Sequence, residues 1–260
     1  MKKIPMVIKM VELDENELLR YDRQMRLPNF GVEGQKKLKA AKVTVAGVGG
    51  LGCPVSIYLA AAGVGTIQII DKDVVELSNL NRQILHWDKD IGRNKVDSAG
   101  EKLLKLNRNV HIQAVHSEIT EENVQDLIRD SDVVIDAMDN FRTRLVINKA
   151  CVDLGKPFIH AGIYGLEGQL LTVLPGNGPC LRCFLQCTPP EVRPFPVLGA
   201  TPAVMASFQV IEAVKLLTGT GKTTAGKLII FDGENLQTHS LKIQRSPSCE
   251  VCGHIGKHHQ

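Results

Sequence analysis

The sequence lacks the features that are typical of membrane, secreted or nucleic-acid-binding proteins. No apolar run approaches the ~20 residues that a transmembrane helix needs. The basic N-terminus, M-K-K-I-P-M-V-I-K-M, holds an apolar stretch too short for the core of a signal peptide. The net charge is only +3, and Lys and Arg are spread along the chain instead of forming a basic stripe. We therefore expect a cytoplasmic protein with no membrane and no nucleic-acid partner.

A disulfide framework is also not expected, because the cytosol keeps thiols reduced. The seven cysteines are then better explained as metal ligands, reactive thiols or small buried residues. With 260 residues, of which 43% are hydrophobic, the chain can bury a full core. That length allows one large α/β domain or two small ones.

A glycine-rich turn between two strands organises the first half of the chain. Residues 42–52 read K-V-T-V-A-G-V-G-G-L-G, and a helix over Pro54–Ala62 follows. A second apolar run, Thr66–Ile70, ends in Asp71, where an acid can bind a ribose hydroxyl. Glycines let a phosphate approach the backbone, and a helix start offers unpaired N–H groups. The pattern predicts a nucleotide site whose turn glycines are Gly47, Gly49, Gly50 and Gly52.

Polar side chains crowd the segment that follows the second strand, where residues 78–83 read S-N-L-N-R-Q. Ligands of open α/β sheets bind beyond the carboxyl ends of the strands, so this segment suits a binding loop. An ordinary polar loop would have the same composition. The candidate residues are Asn79, Asn81, Arg82 and Gln83.

Lys95 has two open interpretations. Asn94 can cap a helix over Lys95–Leu106, which puts Lys95 in the first turn, where a cation opposes the helix dipole. Either this side chain is solvated, or it faces a bound anion.

Two further segments carry charge near predicted elements. A helix over Glu15–Met25, with Leu18, Leu19 and Tyr21 facing inward, carries Arg23, and a solvated basic face is the simplest interpretation of that arginine. A buried strand over Ser131–Asp136 ends in D-A-M-D-N. It places two candidates near the carboxyl end of the strand, namely Asp139 and Asn140.

The order of the predicted elements is β-α-β-α-β-α-β, which favours a Rossmann-like, doubly wound, mostly parallel sheet. Pro175–Pro202 is rich in Pro, Gly and Cys and is predicted to be a long loop. A helix over Val204–Leu217 and an antiparallel strand pair follow. We expect one domain, 1–260. Its parts are an arm (1–14), a nucleotide-binding core (15–174), a crossover loop (175–202) and a C-terminal segment (203–253).

Four cysteines form two C-x-x-C pairs, C-L-R-C and C-E-V-C, both in predicted loops. Each pair can offer two thiolates to one tetrahedral ion, and together they complete a closed zinc site with no open position for catalysis. A redox dithiol is the alternative. The predicted ligands of a structural Zn²⁺ are Cys180, Cys183, Cys249 and Cys252.

Cys187 is the one spare cysteine in a predicted loop. It could be a reactive thiol, but nothing nearby in sequence lowers its pKa, and an incidental loop cysteine fits equally well.

Taken together, the motifs resemble a known family over residues 15–253. R-Y-D-R-Q, G-V-G-G-L-G, D-K-D, S-N-L-N-R-Q, G-R-N-K-V, D-A-M-D-N and the paired C-x-x-C motifs occur in that order. They look like the E1-like activating enzymes that adenylate the sulfur carriers of molybdopterin and thiamine biosynthesis (the MoeB/ThiF/HesA group).

The resemblance implies a reaction and its participants. ATP, with Mg²⁺, would adenylate the C-terminal carboxylate of a small ubiquitin-like sulfur carrier ending in Gly-Gly and release pyrophosphate. A sulfurtransferase or cysteine desulfurase is the expected sulfur donor, and the chain is expected to form a homodimer.

The resemblance also implies roles for individual residues. Asp71 would bind the ribose, Asp139 would hold Mg²⁺, and Arg23 would reach the ATP site of the partner protomer. Arg82 and Lys95 would act with Asn79 on the polyphosphate. The full nucleotide-binding set implied by the motifs adds Gly47, Gly49, Gly50, Gly52, Asp73, Ser78, Asn81, Gln83 and Asn140.

One departure from the family pattern limits this assignment. Members that carry the acyl group or sulfur on their own cysteine place it in the loop before the last long helix, but residues 189–202 contain no cysteine. Adenylation without a thioester on this chain is therefore expected. A nicotinamide-dependent oxidoreductase, a non-catalytic nucleotide-binding scaffold, and an enzyme that adenylates a small carboxylate or a tRNA base are the alternatives.

Overall fold

The computed structural model describes residues 11–185, 187 and 195–255. The helices are α1 Glu15–Arg20, α2 Asp22–Met25, α3 Gly31–Ala40, α4 Gly52–Ala62, α5 Lys95–Leu106, α6 Val124–Ile128, α7 Phe141–Asp153, α8 Leu181–Phe184 and α9 Ala200–Thr218. The strands are β1 Lys42–Ala46, β2 Thr66–Asp71, β3 His111–His116, β4 Val133–Asp136, β5 Phe158–Tyr164, β6 Glu167–Val173, β7 Lys227–Asp232 and β8 Gln237–Lys242. Two 3-10 turns, Leu77–Asn79 and Asp88–Asp90, lie between β2 and α5.

All eight strands form one sheet in the order β3-β2-β1-β4-β5-β6-β7-β8. The first five run parallel, with Val43 of β1 opposite Ile67 of β2 on one side and Val133 of β4 on the other. The last three are antiparallel to their neighbours. The predicted doubly wound, mostly parallel sheet with an antiparallel C-terminal extension is confirmed.

Both faces of the central strands β1, β2, β4 and β5 are buried, which is why these strands are apolar almost throughout. Ile67 and Ile69 of β2 pack into a core with α4, α5 and α9. Ile70, whose side chain points to the opposite face, packs into a second core with α6 and α7. The chain thus winds helices onto both faces of the sheet and leaves the carboxyl ends of its parallel strands open.

The predicted N-terminal helix differs from the structure. It breaks at Tyr21 into α1 and α2, and Leu18 and Leu19 are exposed instead of facing inward. Tyr21, at the end of α1, is buried as predicted, and the buried residue within α1 is Glu17. Tyr21 accepts a hydrogen bond from Asn107, and Glu17 pairs with a lysine of α3, so polar contacts outweigh the apolar spacing that suggested the opposite face.

The long predicted loop, Pro175–Pro202, is also shorter than expected. It contains α8, and α9 begins inside it at Ala200. Pro202 therefore lies in the first turn of α9, where the missing N–H breaks no helical hydrogen bond. Residues 186 and 188–194 of this segment lie outside the described residues, as do residues 1–10 of the predicted N-terminal arm.

Helix α9 is long and apolar enough, by length and composition alone, to cross a membrane. Its buried residues include Met205, Ala206 and Ala213, which belong to the core shared with the sheet. The apolar composition of α9 is explained by its place as a core helix.

A buried carboxylate joins α9 to the antiparallel half of the sheet. Oε2 of Glu212 accepts hydrogen bonds from Thr172 Oγ1 and from the Thr224 N–H, both at 2.8 Å. Oε1 accepts one from Lys215 Nζ, also at 2.8 Å. Burial alone would raise the pKa of Glu212, but these hydrogen bonds outweigh it and hold the pKa below its ordinary value.

Substitution Glu212→Gln removes this charge and turns one acceptor oxygen into an N–H group facing donors. We expect the free energy of unfolding at pH 7 to fall by about 2–3 kcal/mol. A carboxylate with a lowered folded pKa stabilises fully above its ordinary pKa and loses that contribution as pH falls through the lowered value. The difference between wild type and variant should therefore shrink towards pH ~3, as measured by urea unfolding.

The control is Glu234→Gln, which removes the same charge from an exposed turn. An equal loss in both variants, or a difference that does not change with pH, would contradict the assigned role of Glu212.

Candidate active site

A cleft of about 1200 Å³ opens at the carboxyl ends of β1, β2, β4 and β5. It lies where the strand order reverses, between β1 and β4, which is where open α/β sheets bind ligands. Ten of the residues predicted for the site line this cleft. They are Gly47, Gly49, Gly50, Asp71, Asp73, Arg82, Gln83, Lys95, Asp139 and Asn140.

The four turn glycines fall into two kinds. Gly47 has a φ of +98°, and a Cβ on Gly52 would lie 1.9 Å from the Gly47 carbonyl oxygen, so these two glycines are required by the fold. A Cβ on Gly49 or Gly50 would meet nothing closer than 3.5 Å. These two glycines leave free space on the cleft side of the turn.

The turn also presents unpaired donors. Within residues 11–185 and 195–255, the N–H groups of Gly49, Gly50 and Leu51 have no hydrogen-bond acceptor. The neighbouring N–H groups are used, since that of Gly47 bonds to Ile70 and that of Val48 to Asp71. Three successive free donors at the start of α4 suit an anion.

Asp71 ties the end of β2 to the glycine turn. Its Oδ2 accepts from the Val48 N–H at 2.7 Å, and its Oδ1 accepts from the Asp73 N–H at 2.8 Å. Burial raises the pKa of Asp71, an effect that the nearby Lys95 ammonium opposes. Each carboxylate oxygen keeps a second lone pair, so this fixed acid can still accept a hydrogen bond from a ligand.

Lys95 is not solvated, which removes one of its two interpretations. The residue is only 6% exposed, and its Nζ lies 2.9 Å from Oδ2 of Asp73 on the wall of the cleft. Asn94 stands at the N-cap of α5, but its side chain donates to Asp97 and caps no N–H group, so the predicted cap is wrong. The bond to Asp97 uses the Nδ2 donor of Asn94, whereas a cap would use its Oδ1 acceptor, which takes no N–H group of α5.

The residues of the polar segment after β2 have two different positions, since some line the cleft and others support the turn. The Arg82 guanidinium donates to the Ser78 carbonyl and to Asn81 Oδ1, each at 2.9 Å, and lines the cleft. Asn79 is buried, and its Oδ1 accepts from the Glu76 N–H. Ser78, Asn79 and Asn81 are not among the described residues that line the cleft, and they instead support the turn that presents Arg82.

Asp139 and Asn140 follow β4 and line the cleft. Oδ1 of Asn140 accepts from the Thr143 N–H at 2.8 Å and so caps α7. Arg23 is exposed on α2 and is not among the described residues that line the cleft of its own chain.

A buried polar group beneath the cleft was not predicted. His160 donates from Nδ1 to Asp136 Oδ2 at 2.6 Å, and Arg144 Nε lies 3.5 Å from the same oxygen. Burial lowers the pKa of His160, against the opposing influence of Asp136. A sequence signal existed, because a histidine interrupts an apolar strand and Arg144 shares a helix face with Ile147 and Cys151.

The four predicted metal ligands come together at one point. The Sγ atoms of Cys180, Cys183, Cys249 and Cys252 all lie within 4.8 Å of one another. The Cys180–Cys249 and Cys183–Cys252 sulfur distances are 3.7 and 3.3 Å. Four thiolates at this spacing suit a tetrahedral Zn²⁺.

The remaining cysteines divide by exposure. Cys53 and Cys151 are small buried residues, and burial raises the pKa of Cys53 to about 12. Cys187 is exposed and lies outside the four-cysteine cluster.

The comparisons with known proteins agree with this geometry. The model of the ThiF family matches residues 21–251, so the chain belongs to the ThiF family. The sulfur carrier protein adenylyltransferase of Thermus thermophilus is 43% identical over 92% of this chain and 92% of its own length. The adenylyltransferase and sulfurtransferase MOCS3 of Culex quinquefasciatus is 42% identical over 93% of this chain.

The chain spans only about half of that MOCS3 relative, 56% of its length. Among solved structures, that of E. coli MccB with MccA-N7isoASN matches with a TM-score of 0.83 and 27% identity, over 91% of this chain and 74% of MccB.

Replacing one metal ligand, Cys249→Ser, should release the ion. We expect loss of about one equivalent of zinc and a fall in Tm of at least about 5 °C, the shift that roughly 2 kcal/mol gives in a chain of this size. Elemental analysis and thermal unfolding measure the two effects. The matched control is Cys187→Ser, which removes an exposed thiol outside the cluster and should keep both values. Zinc retained by Cys249→Ser would show that this thiol is not a ligand.

Proposed function

We propose that this chain adenylates the C-terminal carboxylate of a small ubiquitin-like sulfur carrier that ends in Gly-Gly, using ATP and releasing pyrophosphate. The observation that carries the proposal is the convergence of anion-binding groups on one cleft. The free N–H groups of Gly49 to Leu51, the Arg82 guanidinium and the Lys95 ammonium all face it. A dinucleotide site has no use for so much positive charge beyond its pyrophosphate.

The residues take roles that follow from their positions. The glycine turn binds the phosphates through backbone N–H groups, and Asp71 binds the ribose from the end of β2. Arg82 and Lys95 neutralise the charge that develops on the polyphosphate. Gln83 and Asp73 complete the wall, with Asp73 holding the Lys95 ammonium in place.

The reaction is an attack on the α-phosphorus of ATP. A carboxylate oxygen of the carrier forms the new bond, the bond from that phosphorus to the bridging oxygen of the β-phosphate breaks, and pyrophosphate leaves with the electron pair. Because the carboxylate is already ionised at neutral pH, no general base is needed, and positioning and charge neutralisation supply the catalysis.

Mg²⁺ fits the same cleft. Asp139, with its carboxylate at the end of β4, would hold the ion, since Mg²⁺ prefers oxygen ligands shared with substrate phosphates. Bound there, the ion would screen the negative charge of the phosphates.

The size of the cleft leaves room for the second substrate. Sites for single small ligands occupy about 300–1000 Å³, and this cleft is larger, at about 1200 Å³. Its far half is lined by residues of β5, β6 and the described end of the crossover segment, among them Tyr164, Gln169 and Phe195. A narrow peptide tail without side chains fits there beside the nucleotide.

The carrier serves sulfur transfer in molybdopterin or thiamine biosynthesis, the pathways that the sequence resemblance implies. Sulfur then comes from a separate sulfurtransferase or cysteine desulfurase, because residues 189–202 contain no cysteine. In this proposal residues 15–253 act as one adenylation unit in the cytoplasm, without nucleic acid or membrane, and as a homodimer.

Substitution Asp139→Asn should lower carrier-dependent ATP–pyrophosphate exchange by at least about 100-fold, because an amide does not replace an anionic ligand of Mg²⁺. Thermal unfolding should be nearly unchanged. Exchange is measured with and without Gly-Gly carrier proteins of both pathways, and Asp126→Asn, an exposed acid on α6, is the control. Full exchange in Asp139→Asn would remove its metal role. Absence of exchange with every carrier, together with binding of NADH, would overturn the proposed function.

Arg23, exposed outside the cleft of its own chain, is proposed to complete the site of the partner protomer. Arg23→Ala and Asp139→Ala should each be inactive alone. Mixed after dissociation and reassociation in equal amounts, they should recover roughly one quarter of wild-type exchange, since half of the dimers are mixed and each has one intact site. A mixture that stays inactive, with mixed dimers shown to form by native mass spectrometry, would contradict a shared site.

A further inference from the structure

A row of hydrogen-bonded polar side chains lies behind the glycine turn, on the side away from the cleft. It begins at the ion pair of Lys102 and Asp90 and continues to Ser98, whose Oγ lies 2.8 Å from Lys102 Nζ. Ser98 Oγ lies 3.0 Å from Nδ1 of His86, and Nε2 of His86 lies 3.1 Å from the carbonyl oxygen of Val48. His86, Asp90 and Ser98 are buried, and the Lys102 side chain is only 9% exposed. The phosphate chemistry proposed above uses none of them.

The Val48 carbonyl fixes the direction of the last hydrogen bond, because a carbonyl oxygen only accepts and Nε2 of His86 must therefore donate to it. An ammonium can only donate, so Ser98 Oγ accepts from Lys102 and is left with its own proton to donate to Nδ1 of His86. A neutral imidazole that accepts at Nδ1 carries its proton on Nε2. His86 therefore donates to the Val48 carbonyl.

The charge states of Asp90 and His86 support these hydrogen-bond directions. Burial alone would raise the pKa of Asp90, but the hydrogen bonds from Lys102 and from the Trp87 N–H outweigh it and lower the pKa to about 2. The Asp90 carboxylate is therefore ionised at neutral pH. Burial also lowers the pKa of His86, so its ring is neutral there.

The Val48–Gly49 peptide connects this row of hydrogen bonds to the cleft. In a trans peptide the C=O and the following N–H point in opposite directions. A donor that holds the Val48 carbonyl from behind therefore aims the Gly49 N–H forward, into the cleft that Gly49 lines. The thiol of Cys53, which lies 3.4 Å from the same carbonyl, adds a second and weaker donor.

We propose that His86 is a positioning residue for phosphate binding, which holds the Val48–Gly49 peptide so that the Gly49 N–H faces the nucleotide. Its effect is exerted through the backbone, and its side chain does not touch the substrate. This proposal rests on the proposed function, because it assumes that a phosphate occupies the glycine turn. It predicts that the donor at Nε2, and not merely the volume of the ring, controls affinity for ATP.

Two substitutions separate the donor from the volume. His86→Leu removes the donor, and His86→Gln keeps an N–H₂ donor near the position of Nε2. We expect the Kd of Mg-ATP by calorimetry, and its KM in pyrophosphate exchange, to rise about tenfold in His86→Leu, as for a lost hydrogen bond. The kcat should change by less than about threefold, and His86→Gln should stay within about threefold of wild type throughout. Histidine-selective ¹⁵N NMR of the wild type at pH 7 should show a neutral ring protonated at Nε2.

The control for general loss of stability is Ser131→Ala. It breaks a buried hydrogen bond between the segment before β4 and Thr44 in the middle of β1. It should lower Tm without changing Kd. Unchanged Kd in His86→Leu, an equal rise in Ser131→Ala, or a proton on Nδ1 in the NMR spectrum would each overturn the role of His86. Failure of the wild type to bind Mg-ATP would instead overturn the proposed function. The NMR result would still decide which nitrogen of His86 carries the proton, and hence whether His86 donates to the Val48 carbonyl.

Discussion

Helix α4 starts so close to the end of β1 that no side-chain atom fits between them. The contact of Gly52 with the carbonyl of Gly47 sets this distance, and the left-handed conformation of Gly47 makes the sharp bend possible. The free N–H groups of the turn, the position of Asp71 and the site of the cleft all follow from this approach. A larger residue at either position would separate strand from helix, and the donors would no longer converge.

Much of the fold was predictable because the parallel half of the sheet obeys simple rules. Apolar runs of strand length alternate with helical periods, and both faces of the strands are covered, so pattern and topology agree. Helix α5 has the bounds that its spacing predicts, Lys95–Leu106. The predictions that were wrong lie where polar contacts decide the outcome, as for Leu18 and Leu19, which lose the inward face to Glu17. Periodicity contains no information about such pairings.

The candidate site was also predictable only in part: the local motifs could be recognised, but contacts between residues distant in sequence could not. Glycine spacing and an acid at the end of a strand predict a nucleotide site, and the resemblance of the motifs to a family supplied the predicted roles of Lys95 and Arg23. The burial of Lys95 against Asp73 could not be predicted, because it depends on how β2 and α5 meet. The same holds for the groups behind the site, His86 and His160, whose partners are distant in sequence.

The four-cysteine cluster changes the topology of the chain as well as its chemistry. An ion shared by Cys183 and Cys249 would close a ring through α9, β7 and β8 and so tie the segment after β8 to the segment before α9. Closing a ring removes configurational freedom from the unfolded chain, and the cost grows only with the logarithm of ring length. A single ion at this site would therefore restrain residues 183–249, a stretch that includes Phe195 on the cleft wall. Loss of that ion would therefore loosen a part of the chain that reaches the cleft, although the ion itself would touch no residue of the cleft wall.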